Sequence, residues 1–454
     1  MRMPNTRQIT DEQEEIYMDA PMDGAIIVTG PPGTGKTVIA FLRAQVLKRK
    51  NLSVQVLMYN RVLQKYTSNV VDDQSNELAS STLLRWFKSW WVRHKIETPL
   101  EVGDKIYLDC PYENKDEVKN IGARWDKNHY NPKRRRRGQW YAPIEAYNRN
   151  TTGFLPWIAK DYDAPKIAQY QYDWQQILLL SAEYFAAGKA FNDWGHIIID
   201  EAQDFPTRMY NFIRFAAGSM KNGAITILAD ENQRLSEDEN STIDDIIKAL
   251  SISSERQFSL TENHRNTRPI AELAAYFYVG LKTGKPKLPH RKGDKPELVA
   301  TTGLDQQVEY IVKVLKSKSV GEVGVFTQND SLRRMFLNRL EKKLSGFYQV
   351  QTYSSKDSES NNIDRLTFDK SATVSILNRH SCKGLEFDFV FIPELQSILI
   401  DGSNLDAFKM NMYVMCSRAR EGLYLLYSSK TNCLPAVIGC LPNESSGLLE
   451  YKNG

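Results

Sequence analysis

The chain has 454 residues, a net charge of +4, 41% hydrophobic and 25% charged residues. That length allows two or three domains with cores of their own, and the composition is that of an ordinary globular protein rather than a disordered or fibrous one. No apolar run approaches the roughly 18 to 20 residues of a membrane span, and residues 1–15 lack the apolar core of a signal peptide, so a cytoplasmic protein with no membrane partner is expected. Five scattered cysteines (Cys110, Cys382, Cys416, Cys433, Cys440) argue against a disulfide framework. Cys433 and Cys440 lack the spacing and the neighbouring histidines of a structural zinc site. The mild basicity permits a nucleic-acid partner where positive charge is localised.

In chain order, Ile9 to Gln13 begins a short amphipathic helix capped by Thr10 or Asp11, and the Gln13 amide carries the donor and acceptor that an adenine edge needs. The apolar run Ala25 to Val28 leads into Gly30, Pro31, Pro32, Gly33, Thr34, Gly35, Lys36 and Thr37, followed by a helix from Val38 to Lys50. Strand, glycine loop and helix start form the P-loop pattern. Backbone N–H groups there can wrap phosphate oxygens, Lys36 can reach the β/γ-phosphates and the Thr37 hydroxyl can ligate Mg2+, so binding of a nucleoside triphosphate is expected. Ser53 to Met58 alternates as a strand and runs into Tyr59, Asn60 and Arg61, then a helix over Val62 to Tyr66; the aromatic-rich stretch Leu78 to Trp91 reads as helical core rather than, as the alternative, a stacking platform for bases.

Residues 101–164 differ in texture and read as an inserted module: a strand at Ile106 to Leu108, a helix at Lys115 to Gly122, a strand at Gln139 to Ala142, and Lys133 with Arg134, Arg135, Arg136 and Arg137 close to Trp125, Tyr130, Trp140 and Tyr141. The arginine run reads either as a solvated loop or, because guanidinium groups beside aromatics suit a single strand, as a site that neutralises its phosphates while bases stack on the rings. The module resembles a short domain of uncharacterised role found in mobile-element and bacterial proteins, from which it departs by a longer arginine loop.

The chain then reads as helical from Tyr172 to Phe191. The buried strand His196 to Ile199 ends in Asp200 and Glu201, carboxylates suited to holding Mg2+ and polarising an attacking water. The strand Ala224 to Ala229 ends near Gln233, placed to touch a γ-phosphate, and Arg265 precedes a helix from Pro269 to Thr283. Pro286 to Lys295 reads as linker. Strands follow at Leu298 to Ala300, Gly324 to Thr327, Val374 to Leu377, Phe389 to Ile392 and Leu423 to Tyr427, without a second P-loop; 354–362 reads as a flexible loop, and Asp406 to Cys416 as a helix leading into Ser417-Arg418-Ala419-Arg420.

Taken together, Gln13, GPPGTGKT, VLMYNRVLQKY, SSTLLRWF, IIIDEAQD, ILADENQ, LTENHRNTRPIAELA, VGVFTQN, RHSCKGLEFDFVFIPEL and YVMCSRAREGLYLLY resemble, in order and spacing, the UvrD/Rep-like superfamily 1 DNA helicases and translocases. The resemblance covers nearly all of the chain outside the module. It implies an α/β protein with two RecA-like doubly wound parallel-sheet domains, residues 1–100 with 165–262 and residues 263–454, a small α+β insertion in the first, and ATP with Mg2+ in the cleft between them. Gln13 would read adenine, Lys36 and Thr37 the phosphates and metal, Asp200 the Mg2+ and Glu201 the water. Gln233 would sense the γ-phosphate, Arg265 and Arg418 would contact it, and Glu386 would bind near the ribose. Tyr59, Asn60, Thr82, His380 and Ser381 fall where that family touches single-stranded DNA.

Two departures stand out: Leu235, Ser236 and Glu237 follow Gln233 where many members carry base-stacking aromatics, and the interval from Phe326 to Val374 is too short for the large second-domain insertion. ATP-driven translocation along single-stranded, forked or junction DNA is the expected activity, with unwinding either alone or with a partner such as a nuclease. The alternative is a nucleic-acid- or partner-gated ATPase sensor in a bacterial or phage defence or repair complex. A remodelling ATPase of the AAA type would explain GPPGTGKT but neither HSCKGLEF nor ENHRN.

Overall fold

The computed structural model describes residues 9–58, 62, 80–94, 105–131, 136–158, 181–184, 186–190, 194–218, 224–233, 240–318, 321–354, 363, 366–368, 372–400, 404–429 and 434–454. The chain divides into two compact units, Met1–Trp86 with Asn192–Gly454, and Phe87–Phe191.

The larger unit holds two parallel sheets. The first uses β1 (Gly24–Thr29), β2 (Val54–Met58) and β3 (Ser80–Thr82) and, beyond the strands β4 (Lys105–Leu108), β5 (Arg124–Asn131) and β6 (Arg136–Pro143) of the smaller unit, β7 (His196–Ile199), β8 (Ala224–Ala229) and β9 (Gln257–Ser259). Its order is β3-β2-β7-β8-β1-β9, with every neighbour parallel. Both β7 and β8 are buried at every position, as continuous apolar runs must be when a sheet is covered on both faces.

The second sheet comprises β10 (Glu297–Thr301), β11 (Glu322–Thr327), β12 (Gln349–Tyr353), β13 (Thr373–Asn378), β14 (Phe387–Ile392), β15 (Ala419–Ser428) and β16 (Glu450–Asn453), ordered β12-β13-β11-β14-β15-β10-β16 and again all parallel. Side chains alternate between two cores. Val299, Val325, Ile376, Phe391 and Leu426 pack with the helices Leu304–Ser317 and Asp330–Leu344, while Leu298, Phe326, Leu377, Ile392 and Leu425 pack with the helix Leu405–Cys416. The period of two thus places helices on both faces. The chain is therefore α/β with parallel sheets.

The smaller unit contains a three-stranded antiparallel sheet in the order β4-β6-β5. Leu108 and Ala142 share a core with Val118, Ala146 and Phe154 from the short helices Lys115–Asn120, Ile144–Arg149 and Thr151–Phe154.

Five strands were not expected from sequence: β3, β5, β9, β12 and β16. All five are sheet edges, where polar and charged residues are tolerated and an apolar run is not required. Three further expectations are corrected. The helix over Pro269 to Thr283 ends at Tyr276, and Gly280 four residues on has φ +88. Residues 286–295 are no free linker: the Lys287 N–H donates to the Thr261 carbonyl, and Arg291 donates to the Arg265 carbonyl and pairs with Glu421. The helix after the glycine loop starts at Lys36, two residues early, because left-handed Gly35 (φ +88) serves as its N-cap. Trp86 and Trp90 are buried as core, with Trp86 edge-on to Trp194 at 4.7 Å.

One buried cation ties the N-terminal segment to the first sheet. The helix Asp11–Glu14 widens into a π turn, Glu15–Asp19, and Arg43, wholly buried, donates to the Ile16, Ala20 and Pro21 carbonyls and to Thr226 Oγ1. Burial lowers its pKa to about 10, which leaves it charged at neutral pH. His196 Nε2 shares Thr226 Oγ1 at 3.0 Å, and burial followed by the Arg43 charge holds the imidazole at about 3 against its usual 6.5.

Arg43→Met strips four acceptors of their donor and should lower the unfolding free energy by about 3 kcal/mol in urea denaturation. For His196, the unfolded chain takes up a proton near pH 6.5 that the folded chain refuses until about pH 3. Its contribution is therefore present above pH 6.5 and drains as pH falls, at up to about 1.4 kcal/mol per pH unit. His196→Gln should flatten the stability curve between pH 6.5 and 4.5 relative to the parent protein.

Candidate functional site

The glycine loop Gly30–Gly35 leaves the C-terminal end of β1, where open parallel sheets place their ligands. Gly33 (φ +83) and Gly35 (φ +88) are left-handed. A Cβ on Gly33 would come within 2.5 Å of Asn263 Oδ1, and one on Gly35 within 2.6 Å of Gln13 Nε2, so only glycine fits either place. Gln13 is buried against the loop, its Nε2 donating to the Thr34 carbonyl at 3.0 Å and its Oε1 accepting from the Thr10 N–H at 3.3 Å. Thr34 Oγ1 donates to the Pro31 carbonyl at 2.9 Å.

Lys36 is folded back into the loop. Its Nζ donates to the Gly30 carbonyl at 2.5 Å and the Pro31 carbonyl at 3.1 Å, and lies 4.0 Å from Asp230 Oδ2. Burial lowers its pKa, against the upward pull of Asp230, Glu201 and Asp200. Thr37 Oγ1 donates to Asp200 Oδ2 at 2.6 Å, which pairs the two oxygen ligands that the sequence reading assigned to a divalent cation.

Asp200 and Glu201 follow β7, and Glu201 has φ +54, a strained backbone for a non-glycine residue. Their environments divide them. Burial and then the neighbouring carboxylate push Asp200 up to about 6. Burial would raise Glu201 as well, but Lys383, Lys36 and Arg418 outweigh it and hold that carboxyl at about 2.

The second sheet reaches into the same place. Lys383, wholly buried in the turn after β13, pairs with Asp204, donates to the Gln233 carbonyl at 2.6 Å and lies 3.6 Å from Glu201 Oε2. Burial pushes Asp204 up to about 7 despite that pairing. Arg418, just before β15, donates through Nη2 to Gln233 Oε1 and through Nε to the Val414 carbonyl at 2.9 Å. Burial and then Arg265 lower it to about 10. Gln233 in turn donates to Asp230 Oδ2 at 2.6 Å.

Arg265 holds Glu386 Oε1 through Nε at 2.9 Å and Nη2 at 2.7 Å, while Arg420 lies 3.5 Å from Glu386 Oε2. Burial raises the Glu386 carboxyl, but Arg265 and Arg420 more than reverse this and keep it well below the carboxylate range.

Several of these groups meet at one open cleft, lined by Pro32, Gly33, Gly35, Lys36, Thr37, Val38, Glu201, Gln233, Arg265, Gly384, Glu386 and Arg418. Left-handed glycines, a helix N-terminus and three cations suit a phosphate-bearing anion. Thr37 with Asp200 could hold a divalent cation through oxygen.

Of the positions assigned to nucleic acid, Thr82 ends β3 and is half-buried, and His380 and Ser381 lie in the turn after β13, the first exposed and the second buried. Arg136 and Arg137 lie in β6, the latter exposed. Tyr59, Asn60, Arg134 and Arg135 lie outside the described residues. Sequence reasoning gave no role to Asp204, Asp230, Asn263, Lys383 or Arg420. All five stand inside the segments DEAQD, ILADENQ, ENHRN, HSCKGLEF and SRAR, so the signal was proximity to assigned residues.

Residues 105–156 match the model of a domain of unknown function (DUF5710). No curated protein matched the chain. Among solved structures, it is similar to the C-terminal domain of a possible DNA helicase from Lactobacillus plantarum WCFS1, at 18% identity and a TM-score of 0.30, over 41% of this chain and 97% of that one. With a TM-score that low, the fold is read from the strand order itself.

Lys383→Met leaves Glu201 and Asp204 buried without their shared cation and should cost about 3 kcal/mol of unfolding free energy at pH 8. The loss should shrink at pH 5, where Asp204, raised to about 7, carries its own proton. Urea denaturation at both pH values reads the difference.

Proposed function

We propose that this chain is an ATP-driven motor of the UvrD-like type, with two RecA-like sheets, that hydrolyses ATP in the cleft and moves along single-stranded DNA. The observation that carries the reading is convergence: Lys36, Thr37, Glu201 and Gln233 from the first sheet meet Glu386 and Arg418 from the second, with Arg265 from the segment that joins them, around one opening. Glycine-loop N–H groups and Lys36 would take the phosphates, and bound Mg2+, held by Thr37 and Asp200, would neutralise charge on the phosphate oxygens. The donor set fits both. The loop has room for no side chain at Gly33 or Gly35, and Lys36 already satisfies two carbonyls that a phosphate would outcompete as partners.

Glu201, ionised at neutral pH, accepts the proton of the attacking water. Gln233 and Arg418, bonded to each other across the sheets, bring a guanidinium from one sheet to a transferring group held by the other. Such an arginine is worth about 10³ to 10⁵ in rate. Arg265 leaves Glu386 for the phosphate as the cleft tightens. Because Lys383 and Arg418 both belong to the second sheet, closure around the triphosphate and release after hydrolysis become relative movements of the two sheets, which a bound single strand would convert into steps.

Single-stranded DNA should stimulate ATP hydrolysis strongly, and Lys36→Ala, Glu201→Gln and Arg418→Ala should each reduce the stimulated rate at least about 100-fold. Steady-state hydrolysis with single-stranded DNA, duplex DNA and RNA in parallel tests this. A rate indifferent to every nucleic acid would overturn the motor reading in favour of a partner-gated ATPase.

A further inference from the structure

We infer that Trp125 is a base-stacking post and that the β5–β6 pair around it binds single-stranded nucleic acid. Trp125 is 50% exposed, whereas Tyr147 and Phe154 of the same unit are buried. An indole half in water is held in place all the same. Opposite its strand, Gly138 has φ +98, and a Cβ there would come within 2.3 Å of Trp125 Cζ2 and 3.0 Å of Cε2. The ring therefore lies directly on bare backbone of β6, with Trp140 edge-on at 5.4 Å. The pairing of β5 with β6 is irregular between Asp126 and Tyr130, which leaves Gly138 as the flat seat. A ring fixed before binding loses little freedom when a base stacks on it.

The surrounding charge selects the ligand. Arg124, Lys127 and Arg137 are exposed and, among the described residues, form no ion pair. Some exposed cations elsewhere are paired, as in Arg339 with Asp305 and Arg291 with Glu421. The strands β5 and β6 carry four lysines and arginines and one carboxylate, Asp126, which is already held by Lys105 at 2.7 Å and the Tyr107 hydroxyl at 2.8 Å. Unpaired cations beside a fixed aromatic face match a chain that alternates phosphates with planar bases. A duplex hides those faces, and an acidic peptide has none, so a single strand is the occupant that uses both features. The inference rests on the proposed function only for its class of ligand, since Trp125 is no part of the ATP cleft.

The test uses the full-length protein without nucleotide and a fluorescein-labelled oligothymidine. Trp125→Ala should weaken binding about tenfold with the salt dependence unchanged, Trp125→Phe should keep most of the affinity, and Gly138→Ala, which pushes the ring off its seat, should resemble Trp125→Ala. The double variant Arg124→Gln with Arg137→Gln should lower the log–log salt slope by about 1.4, at about 0.7 per lost phosphate contact on a single strand. Photocrosslinking of the parent protein to an oligonucleotide bearing 5-iodouracil should give an adduct on Trp125, a readout independent of how any variant folds. Parent-like binding by Trp125→Ala, or adducts confined to the two parallel-sheet segments, would overturn the proposal. ATP hydrolysis indifferent to nucleic acid alongside a Trp125 adduct would reject the motor reading and leave this one standing.

Discussion

Lys383 is the interaction on which the cleft depends. It belongs to a turn of the second sheet, is wholly buried, and finds its countercharges, Asp204 and Glu201, on the first. A buried ammonium without partners is prohibitively costly, and so are two buried carboxylates without a cation. Among the described residues, the ion pairs of Lys383 thus run from one sheet to the other. The Gln233 carbonyl accepts from the same ammonium while the Gln233 side chain accepts from Arg418, so one residue of the first sheet is gripped twice by the second. The two halves are registered by charge as well as by the shared apolar core.

The same logic makes the cleft responsive. Arg265 is not idle; it is parked on Glu386, which Arg420 also approaches. An incoming anion competes for a guanidinium that already has a partner, and the gain on binding is the difference between two ion pairs rather than the whole of one. Lys36, bonded to the carbonyls of its own loop, is in the same position. Cations held this way stay partnered and largely out of water, and their release would be coupled to rearrangement of Glu386 and of the loop that carry them.

What the sequence made legible follows from where chemistry and burial coincide. The central strands β1, β7, β8, β13, β14 and β15 are apolar runs because both faces are covered, and they were readable. The edge strands β3, β9, β12 and β16 carry residues such as those of QVQTY and EYKN, in which nothing apolar repeats, and they were not. The cleft residues were legible because they cluster at strand ends in dense polar segments, yet the sequence could not show that Lys383 would cross to the other sheet. That pairing depends on the three-dimensional meeting of Asp204 and a lysine 179 positions later in the chain. Trp125 was visible as an aromatic near arginines; its seat on Gly138 was not, since a glycine in a strand announces a bulge or a close approach without saying what approaches.

Asp200 and Glu201 show how adjacent side chains with the same acid group acquire different work. Both are buried, and burial alone would raise both. For Asp200 burial and then the Glu201 carboxylate outweigh the Thr37 hydroxyl that lowers it, and it rises to about 6, whereas Glu201 is ringed by Lys383, Lys36 and Arg418 and falls to about 2. A split of this kind separates the roles of paired carboxyls. Glu201 stays ionised across the neutral range and can only accept a proton, while Asp200, bonded to Thr37, gains most from a nearby cation that would restore its charge. Two of the three cations that set Glu201 apart, Lys383 and Arg418, come from the second sheet. The proton affinity of the group proposed to activate water therefore depends in part on the distance between the sheets, and the proposed closure of the cleft would change it through electrostatics.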